Sequence, residues 1–231
     1  MATSGSRDFN LDVGEVIEEA YERCGLEVRT GYDARTARRS LNLMFADWAN
    51  RGLNLWKVST ASLTLTAGTA SYDLPAERVD VIEGLLRTDA GDTSKQTDLT
   101  MRRVSISHYA QQTNKLSTGR PIQYWVERKT DNITVHVWPV PDALRTYTFY
   151  YYYMERIQDT GKPASNTIDV PDRYLPALVS GLTYYIAQKN PAAIQLRPVL
   201  KADYDEQWNL AADASREKAS LFITPGGYRT L

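Results

Sequence analysis

Apolar positions near the start of the chain recur at helical spacing: Val13, Val16, Ile17, Ala20, Tyr21 and Cys24, with Glu15, Glu18, Glu19 and Glu22 on the other side. This pattern predicts a short amphipathic helix that stops at Gly25. A second helix is expected after Asp33 as N-cap, with Ala34, Ala37, Leu41, Met44, Phe45 and Trp48 on one face, Arg35, Arg38 and Arg39 facing away, and Gly52 ending it. From Leu55 to Met154 the period changes to two. Leu63, Leu65 and Tyr72 fall in a segment broken by Gly68, and Ile133, Val135 and Val137 alternate with polar residues. Asp131-Asn132 is read as a tight turn joining the runs Tyr124–Lys129 and Ile133–Trp138. Ser105 to Gln112 is read as one short intervening helix.

Beyond the turn-rich stretch Gly161 to Asn166, helical spacing returns in Leu175, Leu178, Val179, Leu182, Tyr185 and Ile186, on a helix expected to start near Asp172. Asn190-Pro191 interrupts it. A long helix is then expected from about Pro198 to Lys218, carrying Val199, Leu200, Tyr204, Trp208 and Ala211. The fold class expected is α+β, with a helical core from the N- and C-terminal helices, a central β-rich insert and an extended C-terminal arm. The divisions expected are 1–54, 55–160, 161–218 and 219–231, the insert facing a tail component or neighbouring subunits.

Composition narrows the picture. With 231 residues, 42% hydrophobic and 24% charged, the chain has the make-up of a globular protein. A formal net charge of −1 gives no overall positive field to hold nucleic acid. The single cysteine, Cys24, excludes an intramolecular disulfide, and His108 and His136 build no recognisable zinc motif with it. Assembly in a reducing cytosol is the simpler expectation. The polar start Ser4 to Asp8 does not read as a signal peptide, and no run approaches the ~18 apolar residues of a membrane span. The anomaly is aromatic: 15 Tyr and 5 Trp against 4 Phe. Rings that are apolar in body and polar at the tip suit interfaces.

Three segments carry candidate contacts. In the run from Tyr147 to Met154, strand alternation puts Tyr147, Phe149, Tyr151 and Tyr153 on one face and Tyr150, Tyr152 and Met154 on the other. Either the strand is central in a two-layer domain, or one face packs the core while the other, with Trp125 and Trp138, meets a neighbouring subunit or tail component. The C-terminal Leu221-Phe222-Ile223 before Pro225-Gly226-Gly227 cannot continue a helix, so this segment reads as an arm that docks on its own subunit or on a partner. Arg35, Arg38 and Arg39, with the pair Arg102-Arg103, are either solvated or ion-paired, or they face a lumen and a DNA backbone. No nucleophile with a base, no metal set, no carboxylate pair of split pKa and no phosphate loop is visible. No catalytic residue, metal or cofactor is therefore expected. Cys24 reads as core, and His108 and His136 as ordinary structural residues.

The order of these segments resembles the head-to-tail adaptor, or head-completion, proteins of tailed phages, including tail tubular protein A of short-tailed phages. The resemblance rests on the helix Asp33…Trp48 followed by Arg51-Gly52-Leu53-Asn54-Leu55-Trp56, then on the stretch from Leu63 to Pro75. It continues with Arg120-Pro121-Ile122-Gln123-Tyr124-Trp125, Val137-Trp138-Pro139-Val140-Pro141-Asp142, the tyrosine strand, and Val170-Pro171-Asp172-Arg173-Tyr174-Leu175. It spans roughly residues 11 to 218. It implies a virion protein of the neck, assembled in the host cytoplasm: a ring, usually of twelve copies, under the portal. The ring would offer its other side to a tail, nozzle or tail-tube protein, and double-stranded DNA would pass through its centre. A C-terminal extension in such adaptors reaches up to the portal, which makes Leu221, Phe222, Ile223, Pro225, Tyr228 and Arg229 candidate portal contacts.

Two rival readings stand beside it. A tail-borne peptidoglycan hydrolase would need two carboxylates roughly 5–9.5 Å apart across a sugar cleft, whereas Glu15, Glu18, Glu19 and Glu22 lie on a convex helix face. A DNA-end-binding head-completion factor would use the arginines named above.

Overall fold

A computed structural model describes residues 5, 11–52 and 55–216. The arm at 219–231, with its candidate contacts Leu221, Phe222, Ile223, Pro225, Tyr228 and Arg229, lies outside the described residues. The fold is α+β, and the chain divides into two compact units: Met1–Leu41 with Gly161–Leu231, and Asn42–Thr160.

The first unit is helical. Helix α1, Val13–Arg23, opens on a capping box in which the Asp12 carboxylate accepts from Glu15 N (2.8 Å) and the Glu15 carboxylate accepts from Asp12 N (3.0 Å). It closes at Gly25, where φ is 67°, with Gly25 N donating to Glu22 O and Leu26 N to Tyr21 O. That left-handed stop is one that glycine adopts without strain. All six apolar positions of its predicted face are buried. Helix α2, Gly31–Asn50, begins before the expected N-cap. Thr30 caps it instead: Thr30 Oγ1 accepts from Asp33 N (3.3 Å), while the Asp33 carboxylate accepts from Thr30 N (3.0 Å). Asp33 is thus the third residue of a reciprocal box. Of the expected face, Ala37 and Leu41 are buried in this unit, and Met44, Phe45 and Trp48 in the other.

Helix α3, Ile106–Ala110, belongs to the second unit, and the first unit resumes with α4, Leu175–Ala187, preceded by a single 3-10 turn at Asp172–Tyr174. Helix α4 packs against α1 and against α5, Arg197–Ala214. It is buried on nearly all sides, and its hydroxyls turn inward to its own backbone: Ser180 Oγ donates to Pro176 O and Thr183 Oγ1 to Val179 O, both at 2.8 Å. Cys24 is core, its thiol donating to Thr183 O (3.4 Å), and burial pushes its pKa up. Helix α5 ends at Ala214, short of the expected Lys218. Of its expected apolar face, Tyr204 and Ala211 are buried but Val199 is 70% exposed. Val199 sits in the first turn of α5.

The second unit is a two-layer β structure with strands β1 Val58–Leu65, β2 Ser71–Asp73, β3 Arg78–Thr88, β4 Thr97–Thr100, β5 Arg102–Arg103, β6 Thr118–Gly119, β7 Gln123–Arg128, β8 Ile133–Trp138, β9 Val140–Pro141 and β10 Tyr147–Glu155. Helix α3, Ile106–Ala110, follows β5 and is capped by Ser105, whose hydroxyl accepts from His108 N. One sheet has the order β1-β10-β3-β4 and the other β2-β8-β7-β5, while β6 and β9 form a parallel pair. The β7–β8 hairpin turns one residue earlier than the sequence suggests. Lys129 N donates to Asn132 O (2.9 Å), which leaves Thr130-Asp131 at the tip.

The two sheets share one core. Tyr147, Phe149, Tyr151 and Tyr153 of β10 meet Tyr124 and Val126 of β7 and Ile133, Val135 and Val137 of β8. Phe149 lies edge-on to Tyr124 (5.2 Å between centroids) and stacks on Tyr151 (5.1 Å). Burial raises the Tyr124 phenol to a pKa of about 12. The Phe149 ring covers Gly84 of β3: a Cβ there would stand 2.4 Å from Phe149 Cε2 and 3.1 Å from Tyr124 Cε1. At the two ends of this unit's chain, Asn42 Oδ1 accepts from both Thr160 N and Thr160 Oγ1, each at 3.1 Å.

Candidate functional site

The aromatic strand resolves into an inner and an outer face. Tyr150 and Met154 are half-buried and Tyr152 is 43% exposed, all opposite to the core tyrosines. Tyr150 is held from above by the Arg87 guanidinium, 4.1 Å from its ring centroid. Arg87 is fixed in turn by a two-pronged pair with Asp98 of β4, both contacts at 2.7 Å, and this pairing holds the Asp98 carboxyl below the usual range. Tyr152 faces Thr60 of β1 and Glu83 of β3 across the sheet. This face therefore offers an aromatic ring among polar neighbours, a composition suited to a partner contact.

Trp125 and Trp138 belong to the other sheet, so they do not join Tyr150, Tyr152 and Met154 on one surface. They share the outer face of β7 and β8, and each is engaged within its own unit. Trp138 Nε1 donates to Asn114 O (2.9 Å). Trp125 stacks on His136, its cross-strand partner, with centroids 4.6 Å apart and planes 20° apart, and Tyr109 of α3 stacks on Trp125 at 5.5 Å. His136 Nε2 lies 3.0 Å from a Glu127 carboxylate oxygen, and that hydrogen bond holds the Glu127 pKa below the usual carboxylate range. Sequence reasoning placed His136 among ordinary residues and missed this Tyr109–Trp125–His136 stack. The signal was the hairpin itself, whose register sets Trp125 opposite His136.

Beside the stack, a groove of about 680 Å³ runs between the β5–α3 segment and β7, with Trp125 and Arg103 on its walls. Its cations are engaged. Arg103 donates to Asp80 Oδ1 (2.9 Å) and to Val81 O (2.6 Å), and Arg128 pairs with the same Asp80 carboxylate.

The arginine triplet of α2 does not form a uniform basic stripe. Arg35 Nε donates to Gly31 O (3.2 Å), and Arg38, half-buried, donates to the Lys162 carbonyl. Arg39 is exposed. On α1, Glu15 is spent on its cap and Glu19 pairs with Arg23 (2.8 Å), leaving Glu18 and Glu22 at the surface.

Among the described residues, no group of histidine, cysteine or carboxylate side chains is arranged to hold a metal ion, and no helix is long and apolar enough to cross a membrane. What the described geometry supplies is contact surface: an aromatic outer strand face, a stacked ring platform, and the apolar side chains Val199 and Leu210 of α5.

No curated protein matches the chain. The family model described as SU10 adaptor protein matches residues 12–226, which reaches past residue 218, where the resemblance read from the sequence ends. With nearly the whole chain covered, the protein belongs to the SU10 adaptor family of phage structural proteins.

Proposed function

We propose that this chain is a head-to-tail adaptor of a tailed phage, whose copies form a closed ring, of twelve subunits, beneath the portal. A tail, nozzle or tail-tube protein docks on the other side, and double-stranded DNA passes through the centre without sequence-specific binding. The protein then resides in the virion neck after assembly in the host cytoplasm, and its role is geometric rather than catalytic. The observation that carries this reading is the adaptor-family match over residues 12–226.

The surface supports it. A closing ring is built from heterologous contacts, which need two different patches on each subunit. The described residues offer several: Tyr152 on one sheet, Trp125 on the other, and Val199 with Leu210 on α5. In this reading the helices of 1–54 and 161–218 form the ring body. The insert 55–160 meets the neighbour or tail through Tyr150, Tyr152, Met154, Trp125 and Trp138, and the arm 219–231 docks on the portal through Leu221, Phe222, Ile223, Pro225, Tyr228 and Arg229. Each contact is modest, and repetition around an axis makes the assembly firm.

The test is mass photometry and negative-stain microscopy of the protein alone and mixed with its cognate portal ring. Portal particles that gain a fixed number of copies, and lose them when residues 219–231 are deleted, support the adaptor and its arm. A chain that stays monomeric and never joins the portal overturns the assignment.

A further inference from the structure

A second feature of the helical unit is a pocket of about 480 Å³ among α1, α2 and the residues that follow α4, into which Tyr32, Arg39, Ser40, Lys189 and Asn190 converge. Its charges are unbalanced. The Lys189 ammonium donates to Ser40 Oγ (2.6 Å) and Thr36 O (3.3 Å), both neutral, and no described carboxylate pairs with Lys189 or Arg39. Asp33 also lines the pocket, but its carboxylate is engaged by Thr30 N and Thr30 Oγ1 at the start of α2. Burial, followed by repulsion from Arg39, depresses the Lys189 pKa. A lysine hydrogen-bonded only to neutral groups beside a second cation is an arrangement that an incoming anion relieves.

We propose that this pocket binds a single carboxylate presented by a protein partner, with Lys189 and Arg39 as its two charged donors. The charge count selects the ligand class. Two cations and the Asp33 carboxylate leave one net positive charge, which one carboxylate neutralises and a phosphate dianion would exceed. A duplex backbone fits poorly as well: it is an extended polyanion, whereas the neighbouring Arg35 and Arg38 are turned to backbone carbonyls and Glu18 and Glu22 are exposed on α1. The inference stands on the pocket alone and does not depend on ring formation.

The experiment is an amide-shift NMR titration of the full-length, isotope-labelled protein with N-acetyl-glutamate α-amide, which carries one carboxylate, and with its glutamine counterpart. Saturable shifts of residues 32–40 and 186–190 with the glutamate probe alone are expected, at millimolar affinity as for a single ionic contact. Arg39→Gln, at an exposed position, is expected to weaken binding about tenfold, the loss of one charge-assisted hydrogen bond. Lys189→Met is expected to abolish it. Equal shifts with the glutamine probe, or none with either, overturn the site. Inorganic phosphate binding more tightly than the glutamate probe overturns the carboxylate assignment. A short DNA duplex that shifts the same amides in the wild type but not in Arg39→Gln overturns the protein partner in favour of nucleic acid.

Discussion

The helical unit and the β unit fill their interiors in opposite ways. Around α4 the buried positions are small as often as large: Ala20, Ala177, Gly181 and Ala187 are interspersed with Val16, Leu178 and Leu182, so the backbone of α4 approaches those of α1 and α5 closely and hydroxyls are satisfied within their own helix. Between the sheets the space is filled by rings, with Phe149, Tyr151 and Tyr124 fully buried. The first kind of core suffers when something is added, the second when something is removed, because the cost of a vacancy scales with the volume left behind. Gly84 is the exception within the β unit, a small residue kept small so that Phe149 can lie across it.

That contrast can be broken experimentally, and the largest expected effect is Phe149→Ala. It should cost about 3–5 kcal/mol, seen as a lower urea midpoint in the near-ultraviolet tyrosine signal. A shift of less than ~1 kcal/mol would mean the rings do not carry the β core. Gly84→Ala comes next, at about 1–3 kcal/mol through overpacking on Phe149, and the combination Gly84→Ala with Phe149→Leu should cost less than the sum of the two changes. Thr30→Ala probes the other unit: loss of the cap on α2 should cost about 1 kcal/mol, read in the far-ultraviolet helix signal, and an unchanged helix midpoint would remove Thr30 from its role. The smallest effect is acid sensitivity of the β unit. Asp73, Asp98 and Glu127 are held below the usual carboxylate range, first by hydrogen bonds from Thr134, Arg87 and His136 respectively. Groups with depressed folded-state pKa values give stability that is present above the unfolded value, near pH 4, and lost as pH falls through the folded one. The urea midpoint of the tyrosine signal should therefore fall below about pH 4, less steeply in Asp98→Asn, and a profile flat through that window would contradict the assignment.

The helical faces at 13–24 and 175–186 were legible in the sequence because contacts along a helix are set by local spacing, and the α+β order followed from the change of period. Four features were not legible, each for a physical reason. The cap at Thr30 is one of two plausible side chains three residues apart, and hydrogen-bond geometry alone separates them. The exposure of Val199 depends on where α5 meets α4, which helical period does not encode. The stack of Tyr109, Trp125 and His136 depends on a hairpin that turns at Thr130-Asp131 rather than Asp131-Asn132, and the fit of Gly84 under Phe149 on register between strands far apart in the chain. Among the candidate contact residues, the outward placement of Tyr150, Tyr152 and Met154 followed from strand alternation. The separation of Trp125 and Trp138 onto the other sheet required the strand order.

The hydrogen bonds from Thr160 to Asn42 give the β unit a closed doorway, since the strand-rich segment leaves and returns through a single pair of residues. Closing the ends of a longer path would cost entropy that grows only logarithmically with its length. A longer insertion at a loop within the β unit would in consequence leave that closure almost as favourable as it is now.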